Sequence, residues 1–349
     1  MDIALLNSIA SQFSIDTSNI SYKPTSQGYI NDTYLVYLNN SPKYILQCIN
    51  GKVFKNVPGL HHNIEKALLK LNSSDYTQIS LLRTQSGEPY FASENSIWRI
   101  QTFVEDSIAY NITSNNKLAY EAGRIIGRFH LLLKDETLDD YVDTVPNLNF
   151  LPFRITEFKT AVLEANGSLL EVAVNEIEFA KKHLSKFDAF YETNIPERVC
   201  HNDTKLNNIL FNKENKGLCL IDLDTIMKGF FHYDFGDAVR TIVSETNEDE
   251  KDLTKLNFNL ELFGSFLDGL KSNGLFLNKT EVKFLPISCA LMPFMHGLRA
   301  LTDYLNGNVH YKVSYKNQNL DRCRSLFKFS SLALINQNVI DSIIEEKLA

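Results

Sequence analysis

The sequence has few of the features that mark membrane, secreted, zinc-binding or nucleic-acid-binding proteins. No stretch approaches the roughly eighteen apolar residues of a membrane span, and residues 1–13 lack the basic start and apolar core of a signal peptide. The five cysteines are scattered, without the spacing of a disulfide framework or a zinc site. The net charge of −7 argues against general nucleic-acid binding. We therefore expect a cytoplasmic protein with buried, reduced thiols and no nucleic-acid or membrane partner.

What is present is an ordinary globular composition with two regions of different character. The 349 residues are 44% hydrophobic and 22% charged, and this length suggests two domains. The first region has short alternating segments separated by turn residues, which is typical of strands, and the only tryptophan, Trp98, has a core-like strand position. Predicted here are strands at Tyr29–Leu38, Lys43–Ile49, Ile79–Leu82 and Ile97–Ile100, a turn at residues 39–42 and a helix at His61–Leu71.

The second region has the apolar spacing of helices. Apolar residues recur on one helical face from Lys117 to Lys134, and helix is also predicted for Phe158–Leu184 and for nearly everything after Asp252. We therefore predict an α+β fold with a small β-rich N-terminal lobe and a larger, mostly helical C-terminal lobe. The lobes are assigned to residues 1–104 and 117–349, with a linker at residues 105–116.

One segment carries a motif with chemical meaning. Residues 201–208 read H-x-D-x-x-x-x-N, and Asp222 follows at the end of an apolar strand. This is the spacing of the catalytic loop and the magnesium-binding acid of eukaryotic-type kinases. Asp203 is then expected to orient an attacking hydroxyl, while Asn208 and Asp222 hold magnesium on the phosphates of ATP. The apolar segments on either side of residues 212–217 are predicted to form a hairpin.

Not every residue of this loop is assigned to chemistry. Single His, Asp or Asn residues in loops are usually turn formers or caps, and this interpretation is kept for Asn202 and Asn207. His201 is expected to brace the loop rather than to carry a proton. The prediction of phosphoryl transfer therefore rests on the joint pattern and on its strand context.

Two further segments are candidates for contacts with the nucleotide. Gly28, Asn31 and Thr33 lie in a turn whose backbone N–H groups can face phosphate, although a plain hairpin turn is the alternative. Gln101 and Phe103 lie at the junction of the lobes, where an extended linker can offer backbone groups and an apolar wall to adenine.

These segments resemble the aminoglycoside phosphotransferase and choline kinase superfamily, whose members share a two-lobe kinase fold. Within it, the chain is similar to N-acetylhexosamine 1-kinases, and the likeness covers most of its length. The stretches that carry it are Gly28–Tyr34, Tyr44–Asn50, Val53–Asn56, His201–Lys205 with Asn208, Ile221–Thr225, Asp234–Asp237 and Leu301–Leu305.

The resemblance implies phosphorylation of the anomeric hydroxyl of N-acetylglucosamine or N-acetylgalactosamine by ATP and Mg²⁺. It implies that Asp203 is the catalytic base and that Asn208 and Asp222 are magnesium ligands, with Asp224 as a further one. Asp234 either braces the catalytic loop by accepting backbone hydrogen bonds or forms a structural salt bridge. The expected partners are therefore ATP and a small-molecule sugar, and the chain is expected to be a monomer.

One position departs from the pattern of protein kinases, which carry a phosphate-binding lysine on the third strand. At the corresponding place this chain has Gln47, which can hydrogen-bond a phosphate without adding charge. Lys55 and Lys205 are the candidates for the missing cation, and an exposed, solvated lysine is the alternative for each. Lys205 is also expected to stabilise the transferring phosphoryl group. Glu65 is expected to pair with one of these lysines or to face solvent.

The acceptor site is expected between the catalytic loop and the C-terminal helices. Arg299, Asp303 and Tyr304 offer a guanidinium, a carboxylate and an aromatic face, with Arg154 as a further contact. Arg299 and Asp303 are also spaced to pair with each other along a helix. The alternative functions are a kinase for choline, homoserine or an aminoglycoside, which requires clustered acids or an aromatic cage, and a non-catalytic nucleotide-binding module.

Overall fold

An antiparallel sheet dominates the N-terminal lobe in the computed structural model, which describes residues 2–25, 30–93, 96–274 and 276–348. The order of its strands is β1-β2-β3-β5-β4. The elements of this lobe are α1 (Ile3–Ala10), β1 (Ile20–Pro24), β2 (Asp32–Leu38), β3 (Ser41–Ile49), α2 (Val57–Lys70), β4 (Phe91–Ala92) and β5 (Ile97–Thr102).

The hairpin of β2 and β3 is closed by a two-residue turn. Asn39 and Asn40 both have positive φ angles, 50° and 64°, as the tight turns that match strand twist require. The predicted pair of strands is confirmed, but β3 already begins at Ser41 because the turn is two residues shorter than predicted. Tyr29, where the first strand was expected to begin, lies outside the described residues, and β2 begins at Asp32.

Helix α2 begins four residues before the start predicted for the helix at His61–Leu71. The side chain of Asn56 caps it by accepting a hydrogen bond from the Gly59 N–H at 3.0 Å, and Pro58 lies in the first turn. Trp98 is 1% exposed and packs in the lobe's core, as predicted. The predicted strand at residues 79–82 is wrong as a regular element, since this segment makes one isolated bridge, from Leu81 to Gln101.

The C-terminal lobe is mainly helical. The predicted helix at residues 117–134 is confirmed within two residues at each end, whereas the predicted helical region at residues 158–184 is divided among three helices. The helices are α3 (Asn116–Leu132), α4 (Leu151–Glu164), α5 (Gly167–Val172), α6 (Val174–His183), α7 (Asp188–Glu192), α8 (Phe231–Ile242), α9 (Leu260–Lys271), α10 (Lys279–Leu305), α11 (Gln318–Ile335) and α12 (Gln337–Leu348).

Two glycines let α3 and α9 pack backbone against backbone. A Cβ atom at Gly123 would lie 2.0 Å from the carbonyl oxygen of Phe266, and one at Gly269 would lie 1.8 Å from that of Tyr120. No real side chain fits at such distances, so both positions require glycine. This contact holds α3 against α9 within the C-terminal lobe.

Short strand pairs frame the catalytic segment. Strands β7 and β8 form the predicted hairpin, and β6 pairs with β9. Their bounds are β6 Arg198–Cys200, β7 Ile209–Phe211, β8 Gly217–Leu220 and β9 Met227–Gly229. The division of the chain at residues 104 and 116 stays a prediction; residue 104 falls between β5 and α3, and residue 116 is the first residue of α3.

Helix α10 is the one described helix that is long and apolar enough to cross a membrane by length and composition. Its most apolar window has a mean hydropathy of 1.3, but 83% of that window is buried inside the chain, which is what a core helix shows. The five cysteines are unpaired, and all except Cys48 are buried, as expected.

Candidate active site

The catalytic loop holds three side chains of the predicted site in direct contact. Oδ2 of Asp203 accepts hydrogen bonds from Nζ of Lys205 at 2.8 Å and from Nδ2 of Asn208 at 2.9 Å. Nδ2 of Asn208 also donates to the carbonyl oxygen of Asp203 at 2.8 Å. Since the amide nitrogen is used on Asp203, the amide oxygen of Asn208 is the atom left for a metal ion. Lys205 therefore lies beside the predicted catalytic base.

A buried aspartate, Asp234, holds the backbone at the start of this loop by hydrogen bonds. The two carboxylate oxygens of Asp234, at the start of α8, accept hydrogen bonds from the N–H groups of His201 at 2.8 Å and Asn202 at 2.6 Å. Nε2 of His130 lies 2.9 Å from the same carboxylate. Asn202 has a φ angle of 64°, so the chain makes its sharp turn where Asp234 holds it. Asp234 was expected either to accept backbone hydrogen bonds from the catalytic loop or to form a structural salt bridge. The structure shows the backbone hydrogen bonds.

His201 connects the loop to the strand that precedes Asp222. Its ring accepts a hydrogen bond from the Asp203 N–H at 3.3 Å, and its Nε2 lies 2.9 Å from the carbonyl oxygen of Ile221. His201 is fully buried, so it serves as a brace, in agreement with the sequence-based expectation.

Asp222 has the environment of a carboxylate placed to receive a cation. Its backbone is left-handed, with φ 63° and ψ 54°, two residues after the end of β8. Burial and the neighbouring carboxylate of Asp224 raise the pKa of Asp222 to about 6, although Lys205 and Arg99 act in the opposite direction. A divalent cation would relieve this crowding of negative charge. Asp222 and the amide oxygen of Asn208 offer the hard oxygen ligands that Mg²⁺ prefers.

Asp224 is engaged differently from the role implied by the resemblance. Its Oδ2 accepts a hydrogen bond from Nδ2 of Asn31 at 2.7 Å, and its Oδ1 lies 2.5 Å from Nη1 of Arg99. Both partners come from the N-terminal lobe, and Asp224 is 2% exposed. Because both oxygens face protein partners, we assign Asp224 to an interlobe link and not to the metal site.

Gln47 is also occupied, and by the same arginine. Its Oε1 accepts hydrogen bonds from Nε and Nη2 of Arg99 at 2.9 and 2.7 Å, and its Nε2 donates to Oγ1 of Thr33 at 3.2 Å. Nε2 of Gln101 lies 3.5 Å from the same oxygen. The structure thus brings Gln47, Thr33 and Gln101 together around a buried cation that the sequence analysis missed.

The other residues predicted near the nucleotide do not hydrogen-bond to the side chains of Gln47 or Arg99 in the described structure. Phe103 is half-buried at the lobe junction, where its N–H donates to the carbonyl oxygen of Lys43 at 2.9 Å. Gly28 lies outside the described residues. Lys55 is exposed, as in the alternative interpretation, and Glu65 pairs with Arg83 instead of either candidate lysine.

Two of the three predicted acceptor contacts are buried in other roles. Asp303 is 2% exposed and accepts hydrogen bonds from the N–H groups of His310 and Tyr311, at 2.8 and 3.0 Å, so it organises the loop after α10. Tyr304 is also 2% exposed and packs in the core. In the described structure the side chains of Asp303 and Tyr304 therefore contact other parts of the protein, and the structure does not support the predicted substrate contacts at these two positions. Arg299 is half-buried, and its charge together with burial lowers the pKa of Arg154.

A cleft opens beside the catalytic loop and contains charged residues that the sequence analysis missed. Lys205 lines it, together with a partly buried network of ion pairs. Glu248 lies 2.6 Å from both Nη1 of Arg240 and Nη2 of Arg322, and Arg240 also pairs with Asp237 at 2.7 Å. Although burial acts in the other direction, Arg322 and Arg240 bring the pKa of Glu248 down to about 2. The acids of this ion-pair network, Glu248 and Asp237, are thus ionised and neutralised by arginines.

The fold and the loop are those of a small-molecule phosphotransferase. The chain belongs to the phosphotransferase enzyme family, which matches residues 21–255.

Solved structures of this superfamily superpose over nearly the whole chain. The microcompartment-associated aminopropanol kinase is 15% identical with a TM-score of 0.62, and the match covers 97% of this chain and 99% of that one. Choline kinase from Cryptosporidium parvum Iowa II is 16% identical with a TM-score of 0.59, over 97% and 98%. Amicoumacin kinase, in complex with AMP-PNP and Ca²⁺, is 13% identical with a TM-score of 0.60, over 94% and 92%. These likenesses confirm the predicted two-lobe, kinase-like α+β fold.

Proposed function

We propose that this chain is an ATP-dependent kinase that phosphorylates the anomeric hydroxyl of an N-acetylhexosamine. The observation that carries the proposal is the charge of the cleft beside Asp203. Four of the residues that line this cleft are cationic and two are anionic: Lys205, Arg240, Lys312 and Arg322 against Glu248 and Asp249.

Of the two acids, Glu248 is not free to attract a cation. Glu248 is bound by two arginines, and Asp249 accepts a hydrogen bond from Gln318 at 3.1 Å. Choline and aminopropanol are cations, and burial of a cation requires free acids or an aromatic cage. An uncharged, oxygen-rich acceptor such as an N-acetylhexosamine suits arginine and lysine donors better. Arg299 and Arg154 are further candidate donors for this acceptor.

The residues of the loop support a direct transfer. Asp203 accepts the proton of the acceptor hydroxyl as its oxygen forms a bond to the γ-phosphorus, and the bond from that phosphorus to the bridging oxygen of ADP breaks. Lys205, in contact with Asp203, stabilises the charge on the transferred group. Asn208 and Asp222 would hold Mg²⁺, which neutralises phosphate charge when it is bound.

Phosphorus NMR of reactions with ATP and a panel of acceptors tests the proposal. The expected product is a sugar phosphate with its phosphorus coupled to the anomeric proton, formed from N-acetylglucosamine or N-acetylgalactosamine. Choline, homoserine and kanamycin are the comparison acceptors. Release of ADP with one of these three comparison acceptors only would reject the hexosamine assignment and leave the phosphotransferase fold and loop in place.

A further inference from the structure

Arg99 is a buried cation at the meeting point of the two lobes. It lies on β5 directly opposite Gln47 of β3 and is 2% exposed. Residues paired in this way project from the same face of a sheet, so their side chains meet. Two of its N–H groups are held by Gln47, which leaves Nη1 to extend toward the C-terminal lobe.

The third nitrogen of this guanidinium is close to the proposed metal-binding segment. Nη1 lies 2.5 Å from Oδ1 of Asp224, two residues after Asp222. Within the described part of the chain, neither of these two buried atoms has a hydrogen bond of good geometry. A buried N–H group without a well-directed acceptor is costly, so the N–H groups of Nη1 are able to donate to a further oxygen beside the ion pair with Asp224.

The other candidate cations of the described residues are committed elsewhere. Lys205 pairs with Asp203, Lys55 is exposed, and Lys43 pairs with Glu105 at the surface. The carboxylate on α2 that would orient a strand lysine, Glu65, is paired with Arg83. Gln47 and Arg99 thus stand where a single strand lysine would otherwise be.

We propose that Arg99, oriented by Gln47, is the phosphate-binding cation of the nucleotide site. The inference rests on the proposed use of ATP but not on the identity of the acceptor. A guanidinium suits phosphate oxygens, and its charge acts strongly in a buried site. Gln47 then has a definite function, which is to hold the arginine with a neutral acceptor that does not cancel its charge.

Nucleotide binding without any acceptor provides the test, by calorimetry with MgATP and MgADP. Arg99→Gln is expected to weaken binding of MgATP by about ten- to a hundredfold, the effect of a lost charge-assisted contact. Arg99→Lys is expected to retain part of the affinity. Glu65→Gln is the control and is expected to bind like the wild type, because Glu65 serves only Arg83.

A second pair of variants separates a phosphate contact from a structural link. In the Arg99→Gln background, Gln47→Lys places a lysine at the opposite strand position and is expected to recover at least tenfold in affinity. Asp224→Asn removes the partner but keeps the arginine's charge, so affinity for MgATP is expected to hold or to increase. Equal losses in Asp224→Asn and Arg99→Gln would make Arg99 a mere interlobe link and overturn the proposal.

Folding of each variant is checked by circular dichroism and urea denaturation. If Arg99→Gln does not fold, Arg99→Lys and the double variant decide the question by the same measurement. A folded Arg99→Gln protein that binds MgATP within twofold of the wild type would also overturn the proposal. A wild type that binds MgATP through Arg99 yet phosphorylates no hexosamine would reject the acceptor and leave this inference standing.

Discussion

Nζ of Lys205 lies 2.8 Å from Oδ2 of Asp203, so the proposed base and its nearest cation belong to one loop and move together. The same oxygen is held by Asn208. The contacts among the proposed base, its cation and one proposed metal ligand therefore lie within the loop itself.

Replacement of the base tests the chemical step. Asp203→Asn keeps the size of the side chain but cannot accept the hydroxyl proton, so turnover is expected to fall by about 10²–10⁴-fold. The free energy of unfolding should change little, because the Asp203 side chain is partly exposed. Steady-state kinetics and urea denaturation measure the two effects, with the exposed Asp188→Asn as control. Near-normal turnover would remove Asp203 from the mechanism.

Replacement of Asp222 tests the metal site. Asp222→Asn removes one anionic ligand, so half-maximal activity is expected to need a much higher Mg²⁺ concentration, with turnover lower by about 10²–10³-fold. A magnesium titration of activity measures this. Asp106 is a suitable control, since it is also a left-handed aspartate but pairs with Lys213 at the surface. An unchanged magnesium requirement would exclude Asp222 as a ligand.

The charge of the cleft is tested at Arg322, which also lies 4.9 Å from the centre of the Tyr311 ring. Arg322→Gln leaves one side of Glu248 without its cation, and the KM for the acceptor is expected to rise about tenfold. The KM for ATP should not change, because the cleft is proposed to hold the acceptor. Arg324→Gln, which alters a pair with Glu176, is the matched control. A rise in the KM for ATP alone would contradict this placement of the acceptor.

Buried His232 predicts a loss of stability in acid. Burial lowers its pKa to about 4 from an ordinary 6.5, so between these values the unfolded chain takes up a proton that the folded chain does not. Its contribution is complete above pH 6.5 and is lost as the pH falls toward 4, with about 2 kcal/mol lost between pH 7 and 5. Urea denaturation across this range measures the slope. His232→Gln should reduce this slope and the exposed His310→Gln should not. Burial also lowers the pKa values of His61 and His296 to about 4, so part of the slope remains in His232→Gln. Equal slopes in all three proteins would contradict the assignment.

The local parts of the site could be predicted from the sequence. The loop motif, the β7–β8 hairpin and the position of Asp222 depend on neighbours within about twenty residues, and spacing alone reveals them. The long-range partners could not be found in this way. Arg99 meets Gln47 and Asp224 across strands and lobes, and its only sequence signal is an arginine inside an otherwise apolar strand.

For the acceptor site, the sequence predicted contacts that the structure does not support. Arg299 and Asp303 have helical spacing, but the loop after α10 supplies the backbone N–H groups that Asp303 binds. Burial of Tyr304 follows from how helices pack, which sequence spacing does not specify. The ion pairs of Glu248 join residues from α8, α11 and the loop between α8 and α9, so no single segment of the sequence predicts them.

The hydrogen bonds from His201 and Asn202 to Asp234 have a consequence for how the molecule moves. The two amides are tied to a carboxylate that is itself enclosed by the core of the helical lobe. Exchange of these two hydrogens with solvent requires the amides to separate from Asp234, so we expect the His201 and Asn202 amides to exchange slowly. The turn that begins the catalytic loop is thus expected to open less readily than the exposed loops of the molecule.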